Sequence, residues 1–226
     1  QEFPTTKMLI VTCGDSYTQG EGLDNINQAY PYLISKLIDA DLENLSQSGA
    51  SEYLITAQVE QAVKLNPDLI IIGHTSEYRW QVWDFRRNEI QGFLVANWVE
   101  KYGKTYRNWI FSEQILSNTR KKTPEHKAAW HGAGMLYYSE EDLVKRLWSG
   151  AVAKQVVLCQ RAEIPVIHHC CFPHLQPYLS ELTDDYIEYH LDKEKHKNFA
   201  PDNSHAGAKC HQTLTELIMC KYQPTL

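Results

Sequence analysis

Short apolar runs alternate with longer amphipathic segments along most of this chain. Residues 8–13 (Met-Leu-Ile-Val-Thr-Cys) are almost wholly apolar and stop at Gly14. A strand covered on both faces reads this way, because neither face meets water. Residues 31–40 place Tyr32, Leu33, Leu37 and Ile38 at helical spacing, and residues 43–46 suit a second short strand. Ser51 is suited to cap a helix reaching Leu65, with Leu54, Ile55, Gln58, Val59, Ala62 and Val63 on its inner face and Asn66-Pro67 as the stop. Residues 68–73 (Asp-Leu-Ile-Ile-Ile-Gly) form a third buried-type run. About sixty residues without this rhythm follow. Ser139-Glu140-Glu141-Asp142 then reads as a capping box opening a helix through Leu143, Leu147, Ala151, Val152, Val156 and Leu158. Residues 164–168 predict a fourth strand, and 206–220 a last helix.

Strands alternating with helices call for right-handed crossovers and a parallel sheet. The expected fold is a three-layer α/β/α, flavodoxin-like domain with a parallel sheet and a helical insertion after the third strand. One domain spans residues 1–226, with 1–7 read as an appendage ahead of a native Met8 and 78–137 as the insertion. Such sheets bind ligands beyond the carboxyl ends of their strands, here at 14–22, 46–51, 73–79, 168–174 and the loop before the last helix.

Composition narrows the function classes. Apolar residues make up 43% and charged residues 22% of the 226 positions, ordinary globular values. The net charge of −6 argues against nucleic acid as the partner. No apolar run reaches the roughly 18 residues of a membrane span and no charged-then-apolar leader opens the chain, so a soluble cytoplasmic protein is expected. Six cysteines (Cys13, Cys159, Cys170, Cys171, Cys210, Cys220) read as thiols of a reducing compartment rather than a cross-linking framework.

The chemistry lies at the strand ends. Gly14-Asp15-Ser16-Tyr17 follows the first strand at once, where a tight turn holds a serine hydroxyl beside backbone N–H groups. Such a hydroxyl needs a base within hydrogen-bond reach. Asp202-Asn203-Ser204-His205, in the loop before the last helix, supplies a carboxylate to fix the tautomer of an imidazole whose other nitrogen can face the serine.

These blocks resemble the SGNH/GDSL hydrolase superfamily. Gly14-Asp15-Ser16 matches its first block, Asn44-Leu45-Ser46-Gln47-Ser48-Gly49 is similar to its second, and Asp202-x-x-His205 matches its last. The resemblance implies a Ser16–His205–Asp202 triad, an oxyanion hole of the Ser16 and Gly49 N–H groups, and no cofactor. The third block departs from the pattern. Where the superfamily has Gly-x-Asn-Asp, this chain has Gly73-His74-Thr75-Ser76, so Thr75 stands in the place of the asparagine as third oxyanion donor. The Thr75-Ser76-Glu77-Tyr78-Arg79 continuation is similar to phage-encoded members. The implied activity is hydrolysis of carboxylic esters with small acyl groups, including a carbohydrate O-acetyl, with acyl transfer to another acceptor open to the same residues. Tyr17, His74, Arg79 and Trp80 are the expected substrate contacts. The alternative is a weakened binding or virion-associated structural protein of the same fold.

Other motifs count for less. Neither a phosphate-loop spacing nor Gly-x-Gly-x-x-Gly is present, and no Gly-x-Ser-x-Gly elbow occurs. His168-His169-Cys170-Cys171-Phe172-Pro173-His174 has zinc-binding atoms, but alternation splits them between two faces, so a structural or pocket-wall role is expected and no metal. His211 reads as a surface or pocket-edge residue. The 78–137 segment holds five of the six tryptophans (Trp80, Trp83, Trp98, Trp109, Trp130) and ten Lys/Arg against five Asp/Glu. A helical subdomain packing its own aromatics is the plainer reading, a lid or a platform for a planar ligand the functional one.

Overall fold

The computed structural model describes residues 7–77, 79–84, 89–94, 141–189 and 197–222. Strands β1 (Leu9–Cys13), β2 (Asp41–Asn44), β3 (Leu69–His74), β6 (Val166–Cys170) and β7 (Tyr186–Ile187) form one sheet in the order β2-β1-β3-β6-β7. Every neighbouring pair is parallel. Between β3 and β6 an antiparallel hairpin, β4 (Arg79–Asp84) and β5 (Glu89–Leu94), stands as a separate two-stranded sheet. The helices are α1 (Ser16–Gln19), α2 (Tyr30–Leu37), α3 (Glu52–Leu65), α4 (Glu141–Ala162), α5 (Gln176–Ser180) and α6 (Ala208–Lys221).

Strand alternation sorts the core into two layers. Ile10, Leu69, Ile71 and Ile167 face one side and pack with Tyr30 and Ile34 of α2 and Leu214 and Ile218 of α6. Val11, Cys13, Ile70 and Ile72 face the other, with Ile55, Val59 and Ala62 of α3 and Cys159 of α4. Both faces of β1 and β3 are covered, which is why these runs are continuously apolar rather than alternating. Each fully buried isoleucine contributes roughly 1.5–3 kcal/mol. The outer strand β2 instead alternates, exposing Asp41 and Glu43, charges that discourage edge-to-edge pairing.

Ser51 caps α3, its hydroxyl accepting from Leu54 N at 3.4 Å. The segment expected to be a helical insertion opens instead with the β4–β5 hairpin; the rest of it, including Trp98, Trp109, Trp130 and the capping residues 139–140, lies outside the described residues. Among the described residues, no helix is long and apolar enough to cross a membrane.

The strand order reverses direction between β1 and β3. One chain crossing leads outward to β2 and the other toward β6, so the loops leaving β1 and β3 part and open a crevice at their carboxyl ends. Ser16 and Thr75 sit at this crevice.

Candidate active site

Asp15 ends the β1 turn with extended backbone and caps α1, its Oδ1 accepting from Tyr17 N at 2.9 Å. Ser16 is thereby fixed as the first residue of α1, 2% exposed. Gln58 clamps the turn from α3: it accepts from Gly14 N at 2.7 Å and donates to Gly14 O at 3.2 Å. The second block is seated on the first. Gln47 N donates to Gly14 O at 3.1 Å, Ser48 N donates to Gln19 Oε1 at 2.9 Å, and the Ser48 hydroxyl donates to Glu21 Oε2. Gly49 follows with φ +75°. A Cβ there would meet open space, so backbone conformation alone selects glycine.

The last block folds as a self-contained loop. Asp202 Oδ1 accepts from the N–H groups of Ser204 at 2.9 Å and His205 at 3.0 Å. His205 Nδ1–H donates to Asp202 Oδ2 at 2.5 Å. Ala200 N donates back to His205 O at 3.0 Å, and Phe199 bridges Ala206. Two contacts bring this loop onto the first block. The His205 ring lies edge-on to Tyr17 with centroids 5.3 Å apart, and Asp202 packs so tightly on Gly22 (φ +84°) that a Cβ there would lie 2.5 Å from Oδ2.

The imidazole therefore stands over the residue next to Ser16. Among the described residues no hydrogen bond joins Ser16 to His205; Nε2 faces Glu21 Oε2 at 3.8 Å. Burial pushes the Asp202 carboxyl up, but the hydrogen bonds from His205 and the two loop N–H groups outweigh it and hold the group at about 2. Tyr17 completes this wall, edge-on to Phe172 at 6.3 Å. Burial, followed by the nearby Cys171 and Asp15, raises its phenol pKa, which Arg79 lowers.

The third block differs from the sequence expectation. The Thr75 hydroxyl donates to Asp15 Oδ2 at 2.7 Å and its N–H donates to Glu52 Oε2 at 3.2 Å. Both donors are committed away from any oxyanion. His74 is not a substrate contact either. β3 runs one residue further than expected, so His74 is a fully buried strand residue beneath the sheet. Its Nδ1–H donates to Glu52 Oε1 at 2.8 Å, and its Nε2 accepts from His168 Nδ1–H at 2.9 Å, the two rings stacked. Gln155 of α4 also donates to Glu52 Oε1, at 2.8 Å. Burial, with His74 and His169 nearby, keeps the His168 pKa well below the ordinary histidine value. Trp148 Nε1 donates to Thr75 O at 3.0 Å.

Arg79 opens β4 and leans back on the first block, its Nη1 lying 3.0 Å from the same Asp15 Oδ2 that takes the Thr75 hydroxyl. Trp80 is the next residue of that strand, paired with Phe93; its side chain lies outside the described residues. The histidines of β6 and after divide among separate partners: His169 bonds the Tyr30 hydroxyl at 2.9 Å, and His174 bonds Glu77 at 3.0 Å. Among the described residues no group of three ligating side chains could hold a metal. His211 is buried rather than at the surface: its Nδ1 accepts from Tyr30 N at 3.3 Å, and burial brings its pKa down to about 4.

Sequence reasoning passed over Asp15 as a hub, and Glu52, Glu21 and Trp148. Glu52 follows an N-cap serine, a position that reads as a solvated acid favouring the helix dipole; nothing in the pattern marks its burial.

The overall fold matches solved structures at low sequence identity. A G-D-S-L family lipolytic protein from Veillonella parvula superposes with a TM-score of 0.53 at 12% identity, covering 97% of this chain and 100% of that one. The fold is that of the SGNH hydrolases. A family two carbohydrate esterase from Clostridium thermocellum, solved in complex with cellohexaose, gives 0.54 at 11% identity over 98% of this chain, which spans 65% of that one. TesA gives 0.50 at 13% identity, covering 97% and 100%. No protein-family model matches the sequence, and a search of curated proteins finds no match. At these identities the SGNH-type likeness is one of fold.

Proposed function

We propose that the protein is a serine hydrolase of carboxylic esters with small acyl groups, an O-acetyl on a carbohydrate being the substrate class favoured. One observation carries the reading. The Asp202–His205 pair, closed at 2.5 Å, has its ring against Tyr17 beside Ser16, at the crevice where an open parallel sheet takes its ligands. The carbohydrate preference draws on the cellohexaose-bound esterase of the same fold.

In the proposed reaction His205 Nε2 takes the Ser16 proton as Oγ bonds to the ester carbonyl carbon. Asp202 holds the Nδ1–H tautomer and stabilises the imidazolium, a general-base contribution of about 10²–10⁴-fold. The tetrahedral oxyanion is met by the N–H groups of Ser16 and Gly49. The carbonyl–alkoxy bond then breaks, and the imidazolium returns its proton to the leaving alcohol. Water repeats the sequence on the acyl-enzyme; another alcohol in place of water makes the same steps an acyl transfer. Tyr17 lines the acyl side.

A second reading has its own observation: with both Thr75 donors spent, the fold could serve for binding with little turnover. A fluorophosphonate probe on the purified protein separates the two. Wild type is expected to label stoichiometrically and Ser16→Ala not at all. Wild type left unlabelled beside a reacting control esterase sinks the enzyme; labelling that persists in Ser16→Ala moves the nucleophile elsewhere.

A further inference from the structure

Thr75 leaves a gap in the hole for the oxyanion, and a stronger donor stands beside it. Arg79 and the Thr75 hydroxyl bind the same oxygen of Asp15, at 3.0 Å and 2.7 Å, so the guanidinium lies immediately next to the place where an amide is missing. Its side chain is 8% exposed. Nη1 touches Asp15 as an ion pair without hydrogen-bond geometry, and Nε is buried with no acceptor. A buried, unspent N–H on a permanent cation is costly and thus points to an acceptor that arrives with the substrate. The guanidinium also sits where the cleft is: Asp15, which it contacts, accepts from Tyr17 N, and the Tyr17 ring packs against His205.

We propose that Arg79 is a further catalytic residue, donating hydrogen bonds to the oxyanion in place of the amide that Thr75 does not supply. This rests on the serine-hydrolase reading above. Arg79 transfers no proton. It meets the negative charge that appears on the carbonyl oxygen as Ser16 adds, and is released when the carbonyl re-forms. The ion pair with Asp15 restrains the planar fork beside the site, so a donor held there needs little reorganisation, the condition under which such donors act most strongly. The ion pair with Asp15 keeps the resting site neutral, so a neutral ester is as acceptable as a charged one.

The test compares wild type, Arg79→Gln and Arg79→Lys on p-nitrophenyl acetate and on the anionic mono-p-nitrophenyl glutarate, after fluorophosphonate labelling of wild type. Absence of labelling ends the serine-hydrolase reading itself, before Arg79 is in question. With labelling present, Arg79→Gln is expected to lose about 10²–10³-fold in kcat on both esters. KM should change by less than about twofold, because the contact exists only in the transition state. Added methylguanidinium should restore part of the lost rate, which a purely structural arginine would not allow. An unchanged kcat, or a loss confined to KM, overturns the proposal. So does a loss seen with the glutarate ester alone, which would make Arg79 a reader of substrate charge. If Arg79→Gln does not fold, Arg79→Lys decides: it keeps a positive charge on Asp15 but not the planar fork. A kcat at least roughly tenfold below wild type supports the oxyanion role, and wild-type kcat in that variant overturns it.

Discussion

The Asp202 carboxylate accepts three hydrogen bonds from within its own loop, two from backbone N–H groups and one from the imidazole. Burial raises its pKa, these bonds lower it, and the bonds prevail: the group is held down to about 2, against an ordinary 3.8. A carboxylate depressed on folding contributes stability that is present above its unfolded pKa and lost as pH falls through the folded one. Wild type is therefore expected to lose thermal stability between about pH 4 and pH 2 more steeply than Asp202→Asn, as calorimetry at stepped pH would register. Asp202 stays charged throughout the neutral range. Asp202→Asn should accordingly lower ester turnover on the order of a thousandfold, by a similar factor at every pH from about 5 to 9; a loss confined to one end of that range would contradict this role. The pairing of Asp202 with His205 was legible because an acid and an imidazole three apart in a loop can reach each other. Thr75 was legible as a departure, whereas the direction of its hydroxyl was not: a side chain's partner is chosen by tertiary neighbours, here Asp15.

Among the secondary elements, the strand ends decide which residues reach the crevice. The apolar runs announced β1 and β3, and the order of β and α segments followed from them. Boundaries shifted by one to three residues, and two of the shifts had a consequence. β3 carries His74 into the sheet. β6 begins at Val166, not at 164, since Pro165 has no N–H and enters the ladder only through its carbonyl, which accepts from Ile70 N; the strand runs on to Cys170, which places His168 and His169 within the sheet on opposite faces, toward His74 and Tyr30. β7, of two residues, is too short for any periodicity to reveal. Glycines mark where loops meet. Gly22 pairs a left-handed φ with direct contact on Asp202, so Gly22→Ala faces both a backbone penalty of about 1–2 kcal/mol and a displaced carboxylate. The expected result is a lower melting temperature together with at least a roughly tenfold fall in kcat. Full activity in that variant would show that the Asp202 loop tolerates a shift away from the 21–22 turn.

Across the whole molecule, one buried polar network ties the two halves of the sheet together. Glu52 of α3 accepts from His74 on β3, Thr75 N and Gln155 on α4, and His74 continues to His168 on β6. Hydrophobic patterning placed the layers correctly but does not say which polar residues pair inside them, so a buried Glu-His-His chain was invisible until neighbours were known. Glu52→Ala strands two donors, His74 Nδ1–H and Thr75 N–H, in a dry interior, while the Gln155 amide keeps Thr56 Oγ1 as an acceptor. Removing one member of such a network costs about 3–5 kcal/mol, which for a chain of this size corresponds to a drop of roughly 6–20 °C in melting temperature. Differential scanning calorimetry checks this; a drop below about 3 °C would mean that water replaces the carboxylate.

The sheet order also sets when the chain can begin to work. Ser16 leaves β1, while His205 follows only with the loop ahead of α6, whose Leu214 and Ile218 join the layer built on β1 and β3. During translation the hydroxyl thus emerges from the ribosome well before its base, and the nascent polypeptide carries no competent site. Under the proposed mechanism, reactivity waits on the docking of α6, so products that stop short of it remain chemically silent.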